Sequence, residues 1–308
     1  MEYDLIIIGA GPAGITAGIY GVRAGLNTLV INGGGVGGQI LSTYEVDNYP
    51  TLKGISGMEL GTKFKEHADA LKVNIVDENV SSIEKAEDQV TLWKVTTTKG
   101  SYETKTIVIA TGAQPRKLGA PGEEELTGMG VSYCATCDGA FYRGSDVAVV
   151  GGGDVALEDA LFLARGSKKV HLIHRRDAFR AAKVLQDAVL AADNIEIHYD
   201  SIVENIKGVD EGEVNGLEIK NVKTGQVDTL DIEGIFIAVG TKPNTDLVKG
   251  IVECDQAGYV VAGEDCRSSE KGIYAAGDLR TKALRQVVTA VADGANAVKS
   301  IETDIVGL

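Results

Sequence analysis

Residues Asp4 to Asn32 read DLIIIGAGPAGITAGIYGVRAGLNTLVIN. The opening apolar run is continuous, as in a strand buried on both faces of a parallel sheet. A glycine-rich turn follows, then a helical stretch, then a second apolar run, which is the plan of a βαβ unit. Within the turn, Gly9, Ala10, Gly11, Pro12, Ala13 and Gly14 fit G-x-G-x-x-G. Gly9 permits the tight turn, Gly11 lets a pyrophosphate approach the backbone, and Gly14 lets helix and strand pack closely. The helix N-terminus then faces the phosphates with its partial positive charge. By itself the pattern is weak, and a ligand-free turn would also satisfy it. A strand before it and a helix after it make it a nucleotide site. The acid that grips a ribose hydroxyl is due near residue 32, where this chain has Asn32, a weaker partner than a carboxylate.

The same plan returns at Asp146 to His174, DVAVVGGGDVALEDALFLARGSKKVHLIH. Here Gly151, Gly152, Gly153, Asp154, Val155 and Ala156 fit the G-x-G-x-x-A variant. The end of its second apolar run differs in kind, reading HRRDAFR from His174 to Arg180. Arg175, Arg176 and Arg180 stand where an acid is usual. A guanidinium pairs with a 2'-phosphate that an acid would repel, so this turn is expected to hold NADPH rather than NADH. The alternative is an idle basic loop, which a chain of net charge −14 makes less natural.

Two further apolar strands ending in glycine, TIVIATG (Thr106 to Gly112) and GIFIAVG (Gly234 to Gly240), also match one another, and GIYAAGD (Gly272 to Asp278) adds a third. The order predicts an α/β fold with two Rossmann-like dinucleotide-binding domains, the second inserted in the first. The expected divisions are residues 1–112, 113–240 and 241–308, with GAQPRK and GTKPNT as hinge linkers because each carries glycine and proline.

The chain has 308 residues, 44% hydrophobic and 24% charged, enough for two globular domains. Its acidity argues against nucleic acid and against an anionic membrane surface as partners. Leu5 to Val22 carries no charge over 18 residues, the crude length of a membrane span. Five glycines and a proline in a nucleotide-turn pattern, with no basic region ahead of them, argue against a span and against a signal peptide. A cytoplasmic location is expected.

Four cysteines are too few for a disulfide-stapled scaffold of this length. Cys134 and Cys137 form a single C-x-x-C. A structural zinc site needs four ligands, usually two such pairs, and Cys254 and Cys266 lack that spacing, so no metal is expected. Two idle buried thiols are another reading. A dithiol/disulfide centre is the favoured one, since this spacing lets the sulfurs bridge and a helical turn there stabilises a thiolate. Asp138 follows at once. Its carboxyl is placed to supply and remove the proton of thiol–disulfide exchange, unless it is only a turn or N-cap residue.

Taken in order, GAGPAG, GGQ (Gly37 to Gln39), VDNYP (Val46 to Pro50), ATGAQPR, CATCDG, VVGGGDVALE, HRRDAFR, YAAGD and RQV (Arg285 to Val287) resemble the bacterial low-molecular-weight thioredoxin reductases over essentially the whole chain. The resemblance implies that the first turn holds FAD. It implies that Asn32, Gly33, Gly37, Gly38, Gln39, Asn48, Thr111, Gly112, Gly277, Asp278, Arg285, Gln286 and Val287 also line the flavin site. It places NADPH on the second turn together with His174 and the arginines. Cys134 then attacks the disulfide of the partner, oxidised thioredoxin, Cys137 lies beside the flavin, and Asp138 donates the proton. A homodimer is implied as well. The chain departs from the family pattern at Asn32 and at Val155, where a phosphate-binding Ser or Thr is usual.

Overall fold

The computed structural model describes residues 2–43, 45, 46, 48–86 and 92–306. Asp47 of the VDNYP motif lies outside the described residues. Two compact units divide the chain, Met1–Gln114 with Lys242–Leu308, and Pro115–Thr241.

The first unit begins with β1 (Glu2–Ile8), α1 (Pro12–Arg23), β2 (Thr28–Asn32), α2 (Gly57–Ala70), β3 (Asn74–Asp77), β4 (Val80–Lys85), β5 (Trp93–Thr97) and β6 (Ser101–Ile109). β1 lies between β2 and β6 and runs parallel to both, with Ile7 opposite Val30 and Val108. A central strand buries both faces, which is why its apolar run has no polar alternation. Leu5 and Ile7 join Ile15, Ile19 and Ile301 in one core, whereas Ile6 and Ile8 join Trp93, Val95 and Ile107 in another. Pro12 opens α1, where its missing N–H costs nothing and its fixed φ suits the helix.

At the first crossing between the units the chain forms β7 (Ala113–Pro115). The second unit follows with β8 (Val131–Ser132), α3 (Ala135–Asp138), β9 (Asp146–Gly151), α4 (Asp154–Ala164), β10 (Lys169–Ile173), α5 (Lys183–Leu190), β11 (Ile195–His198), β12 (Ser201–Lys207), β13 (Gly216–Asn221), β14 (Val227–Leu230) and β15 (Gly234–Ala238). Five parallel strands stand in the order β11-β10-β9-β15-β8. Residues of α4, Leu157 and Leu163 among them, pack on Val147, Val149 and Leu172 of one face. The antiparallel β12-β13-β14 meander covers the other, with Ile206, Leu217 and Ile219 against Val150, Ile173 and Ile237.

The chain returns through β16 (Thr241–Pro243), β17 (Ile273–Ala275) and α6 (Val287–Val306). β17 extends the parallel part of the first sheet beside β6, Tyr274 opposite Val108. The crossing segments are not plain loops, because β7 and β16 pair as a two-stranded sheet. Asn244 ties down the end of β16: its N–H donates to Gly112 O at 2.9 Å and its Nδ2 to Thr111 O at 2.8 Å. Thr111 Oγ1 in turn donates to Asn244 O at 2.6 Å. Proline removes the N–H only at Pro115 and Pro243, which leaves enough donors for a short ladder.

Candidate active site and nucleotide sites

In the first turn Gly9 has φ of 108°, and a Cβ there would sit 2.4 Å from Ala110 O, so the turn is pressed on the end of the strand behind it. Gly11 differs. A Cβ there would meet nothing closer than 4.0 Å. The protein leaves open the space in front of α1, a cradle that a pyrophosphate fits. Pro12, Ala13 and Gly14 form the first turn of that helix. Gly37 N–H donates to Ala10 O at 2.8 Å, which folds a second glycine loop beside the first, and Gly38 and Gln39 begin the short 3-10 turn that continues it. Gln39 Nε2 donates to Ala113 O.

Asn32 is committed locally. Its Nδ2 donates to Asp77 Oδ1 at 2.7 Å, and its Oδ1 accepts from Gly35 N–H at 2.9 Å. The side chain therefore shapes the loop that starts at Gly33. Asn48 Nδ2 donates to Gln286 Oε1 at 2.9 Å, which brings together two positions far apart in sequence at the start of α6 and its Val287. The Arg285 guanidinium lies 4.0 Å from the Tyr259 ring centre, and its Nε donates to Asp278 O at 3.2 Å.

Asp278 is the most informative of these residues. Its Oδ1 is buried with no hydrogen-bond partner among the described residues, and burial pushes its carboxyl pKa up. An unsatisfied buried polar atom costs about 1–3 kcal/mol. A hydroxyl-bearing ligand relieves that cost, so the residues present fit a dinucleotide such as FAD. The neighbouring Gly277 N–H donates to Asp293 Oδ2 at 2.9 Å. Asp293 also receives Arg280 at 2.6 and 2.8 Å and Lys282 at 2.8 Å, all three side chains buried. Sequence reasoning missed this cluster, whose one signal is an acid inside the largely apolar first half of α6.

In the second turn a Cβ on Gly152 would fall 2.1 Å from His174 Nδ1. His174 is buried, with Nδ1 2.9 Å from Gly151 O and Nε2 2.9 Å from Ala178 O. It pins the arginine loop to the glycine turn. Arg180 N–H donates to Gly152 O at 2.8 Å and Asp154 Oδ1 accepts from Ala182 N–H at 2.7 Å, reinforcing the same closure. A Cβ on Gly153 would meet nothing within 4 Å, so space again lies open before a helix, here α4 with exposed Val155 and buried Ala156 in its first turn. Arg175, Arg176 and Arg180 are exposed, and none pairs with a carboxylate among the described residues. Three unpaired guanidiniums beside an open turn in so acidic a chain fit the 2'-phosphate of NADPH.

Cys134 and Cys137 are joined by a disulfide across the short α3, their Cα atoms 5.3 Å apart. Both are partly exposed. A disulfide carries no thiolate for a metal, and the free cysteines are poor thiolates: burial pushes Cys254 up and Cys266 up to about 12. Asp138 closes α3. Burial raises its pKa, opposed by a hydrogen bond from Ser132 Oγ to Asp138 Oδ2 at 2.6 Å. Ser132 is itself buried and accepts the Cys134 N–H at 3.1 Å. This serine thus connects the Asp138 carboxyl to the Cys134 backbone. Nothing in the sequence marks it beyond its closeness to the cysteines.

Two open glycine cradles and a partly exposed C-x-x-C disulfide backed by a half-buried carboxyl define a nucleotide-dependent disulfide oxidoreductase. The comparisons agree. Residues 3–294 match the family described as Pyridine nucleotide-disulphide oxidoreductase, and the chain belongs to it. It is 43% identical over 304 residues to a thioredoxin reductase of Listeria monocytogenes, covering 97% of this chain and 94% of that one. It is 42% identical over 308 residues to a Clostridium pasteurianum chain named as a 34.2 kDa protein in the rubredoxin operon, covering 99% and 98%. The crystal structure of thioredoxin reductase from Streptococcus pyogenes superposes with a TM-score of 0.94 at 44% identity, covering 100% of this chain and 99% of that one.

Proposed function

We infer that the protein is an NADPH-dependent thioredoxin-disulfide reductase. The observation that carries the reading is the Cys134–Cys137 disulfide with Asp138 behind it, in one unit with an arginine-flanked glycine turn. FAD is assigned to the cradle before α1 and Asp278, and NADPH to the turn before α4 with Arg175, Arg176 and Arg180. Bound FAD supplies a two-electron relay between the NADPH hydride and the disulfide.

The chain's own residues handle sulfur and proton. When the disulfide accepts two electrons its S–S bond breaks, leaving Cys134 as a thiolate and Cys137 as the thiol that takes up the proton Asp138 holds. Cys134, as thiolate, then attacks one sulfur of the partner's disulfide and expels the other, giving a mixed disulfide. Cys137 attacks Cys134 Sγ, re-forms the internal disulfide and releases the partner as a dithiol. The partner's two thiolates take their protons from solvent, and Asp138, having given its own up, is the base that recovers one from Cys137. Ser132 holds the carboxyl in place.

Oxidised thioredoxin is the proposed acceptor, supported by the names of the relatives, and the cytoplasm and a homodimeric state are proposed with it. No helix among the described residues is long and apolar enough to cross a membrane. Steady-state oxidation of NADPH with thioredoxin, with glutathione disulfide and with no acceptor tests the reading. Turnover with thioredoxin alone supports it, and equal rates without thioredoxin contradict it.

A further inference from the structure

We propose that His171, Glu196 and His198 form a binding site for a divalent transition-metal ion of the zinc type, separate from the redox centre. His171 lies on β10 and the other two on β11, with His171 opposite Glu196 and Ile173 opposite His198 in parallel register. Alternation along a strand therefore puts all three side chains on one face of the sheet. β11 is one edge of that sheet and β8, which leads into the cysteines, is the other.

The spacing suits one ion. His171 Nδ1 lies 3.0 Å from His198 Nε2 and 3.7 Å from Glu196 Oε2, and His198 Nε2 lies 3.9 Å from Glu196 Oε1. One ligand atom from each of the three side chains lies within 4.8 Å of the others, close enough for a single ion making the bonds of about 2 Å that zinc forms with imidazole nitrogen and carboxylate oxygen. The two rings share a single hydrogen bond, which an ion replaces with two coordinate bonds. Burial holds both imidazoles below their ordinary pKa, in the neutral form that ligates. Asp146 acts on His171, Asp228 on His198, and Lys169 on both.

Lys169 is the resident competitor, since its ammonium contacts Glu196. Both side chains are close to half exposed, 43% and 47%, so Lys169 can turn to solvent and free the carboxylate. A water completes a tetrahedral set. The ion would link β10 to β11 just ahead of His174 and the arginine loop.

The test is calorimetric titration of the oxidised FAD-loaded enzyme with zinc chloride, with the d–d absorption of cobalt(II) as a second reading. One ion per chain is expected. Glu196→Gln, at an exposed position that folding tolerates, weakens binding at least about 10-fold, as does His198→Gln. Lys169→Gln tightens it, because the competing cation is gone. Absence of saturable binding in the wild type, equal affinity in Glu196→Gln, or failure of Lys169→Gln to tighten would each overturn the site.

Discussion

Replacing Ser132 with alanine removes the 2.6 Å bond to Asp138 Oδ2 and leaves Cys134 N–H without its acceptor. The first loss acts on the proton. A hydrogen bond to a charged acceptor contributes about 1.5–3 kcal/mol, and each pH unit corresponds to about 1.36 kcal/mol. Asp138 keeps some contact with solvent, so the low end applies and the effect is about 1 pH unit. The bond favours the carboxylate, so its removal raises the Asp138 pKa, in the same direction as burial. In the exchange with thioredoxin the carboxylate form acts, as the base, so the acid limb of kcat/KM for thioredoxin moves to higher pH by about 1 unit. The second loss costs stability instead, about 1–3 kcal/mol without any link to that limb. The assay is NADPH oxidation across pH with thioredoxin in limiting amounts, for wild type, Ser132→Ala, Ser132→Thr and Asp138→Asn. Threonine keeps the hydroxyl and restores the wild-type limb, and asparagine abolishes it. A Ser132→Ala profile that superimposes on wild type, while Asp138→Asn loses the limb, would refute the role given to Ser132.

Asp278→Ala removes the unpartnered carboxylate oxygen, so the purified protein retains less FAD while its FAD-free form melts no lower than wild type; absorbance ratios and thermal melts of both forms check this. Arg175→Ala with Arg176→Ala raises KM for NADPH about 10-fold or more and leaves that for NADH nearly unchanged, as steady-state kinetics with both nucleotides will show. Asp293→Ala strands Arg280 and Lys282 as buried unpaired cations and costs about 3–5 kcal/mol of stability, measured by chemical denaturation of the first unit.

Both βαβ units are legible in the sequence because their signals are local: an apolar run, glycines at fixed offsets and a helical stretch sit within about 30 residues. The redox pair is legible for the same reason, spacing alone bringing its sulfurs together. Ser132 is not, because its part depends on a turn that brings its hydroxyl back to Asp138. Nor is the commitment of Asn32 to Asp77, or the lock between Thr111 and Asn244, since each joins residues far apart along the chain. The linkers read as loops from their glycine and proline, yet they form β7 and β16, because a partner strand supplies what local propensity does not. His171 and His198 look like ordinary strand residues until the register of β10 and β11 sets them side by side.

The central claim is that electrons from NADPH reach thioredoxin through Cys134 and Cys137. Anaerobic treatment with NADPH, quenching with an alkylating reagent and mass spectrometry of the peptides test it directly. The account predicts that both cysteines become alkylated after NADPH and escape alkylation once oxidised thioredoxin is added before the quench. Alkylation of the pair by a chemical dithiol but not after NADPH, or labelling that persists in the presence of oxidised thioredoxin, would contradict it.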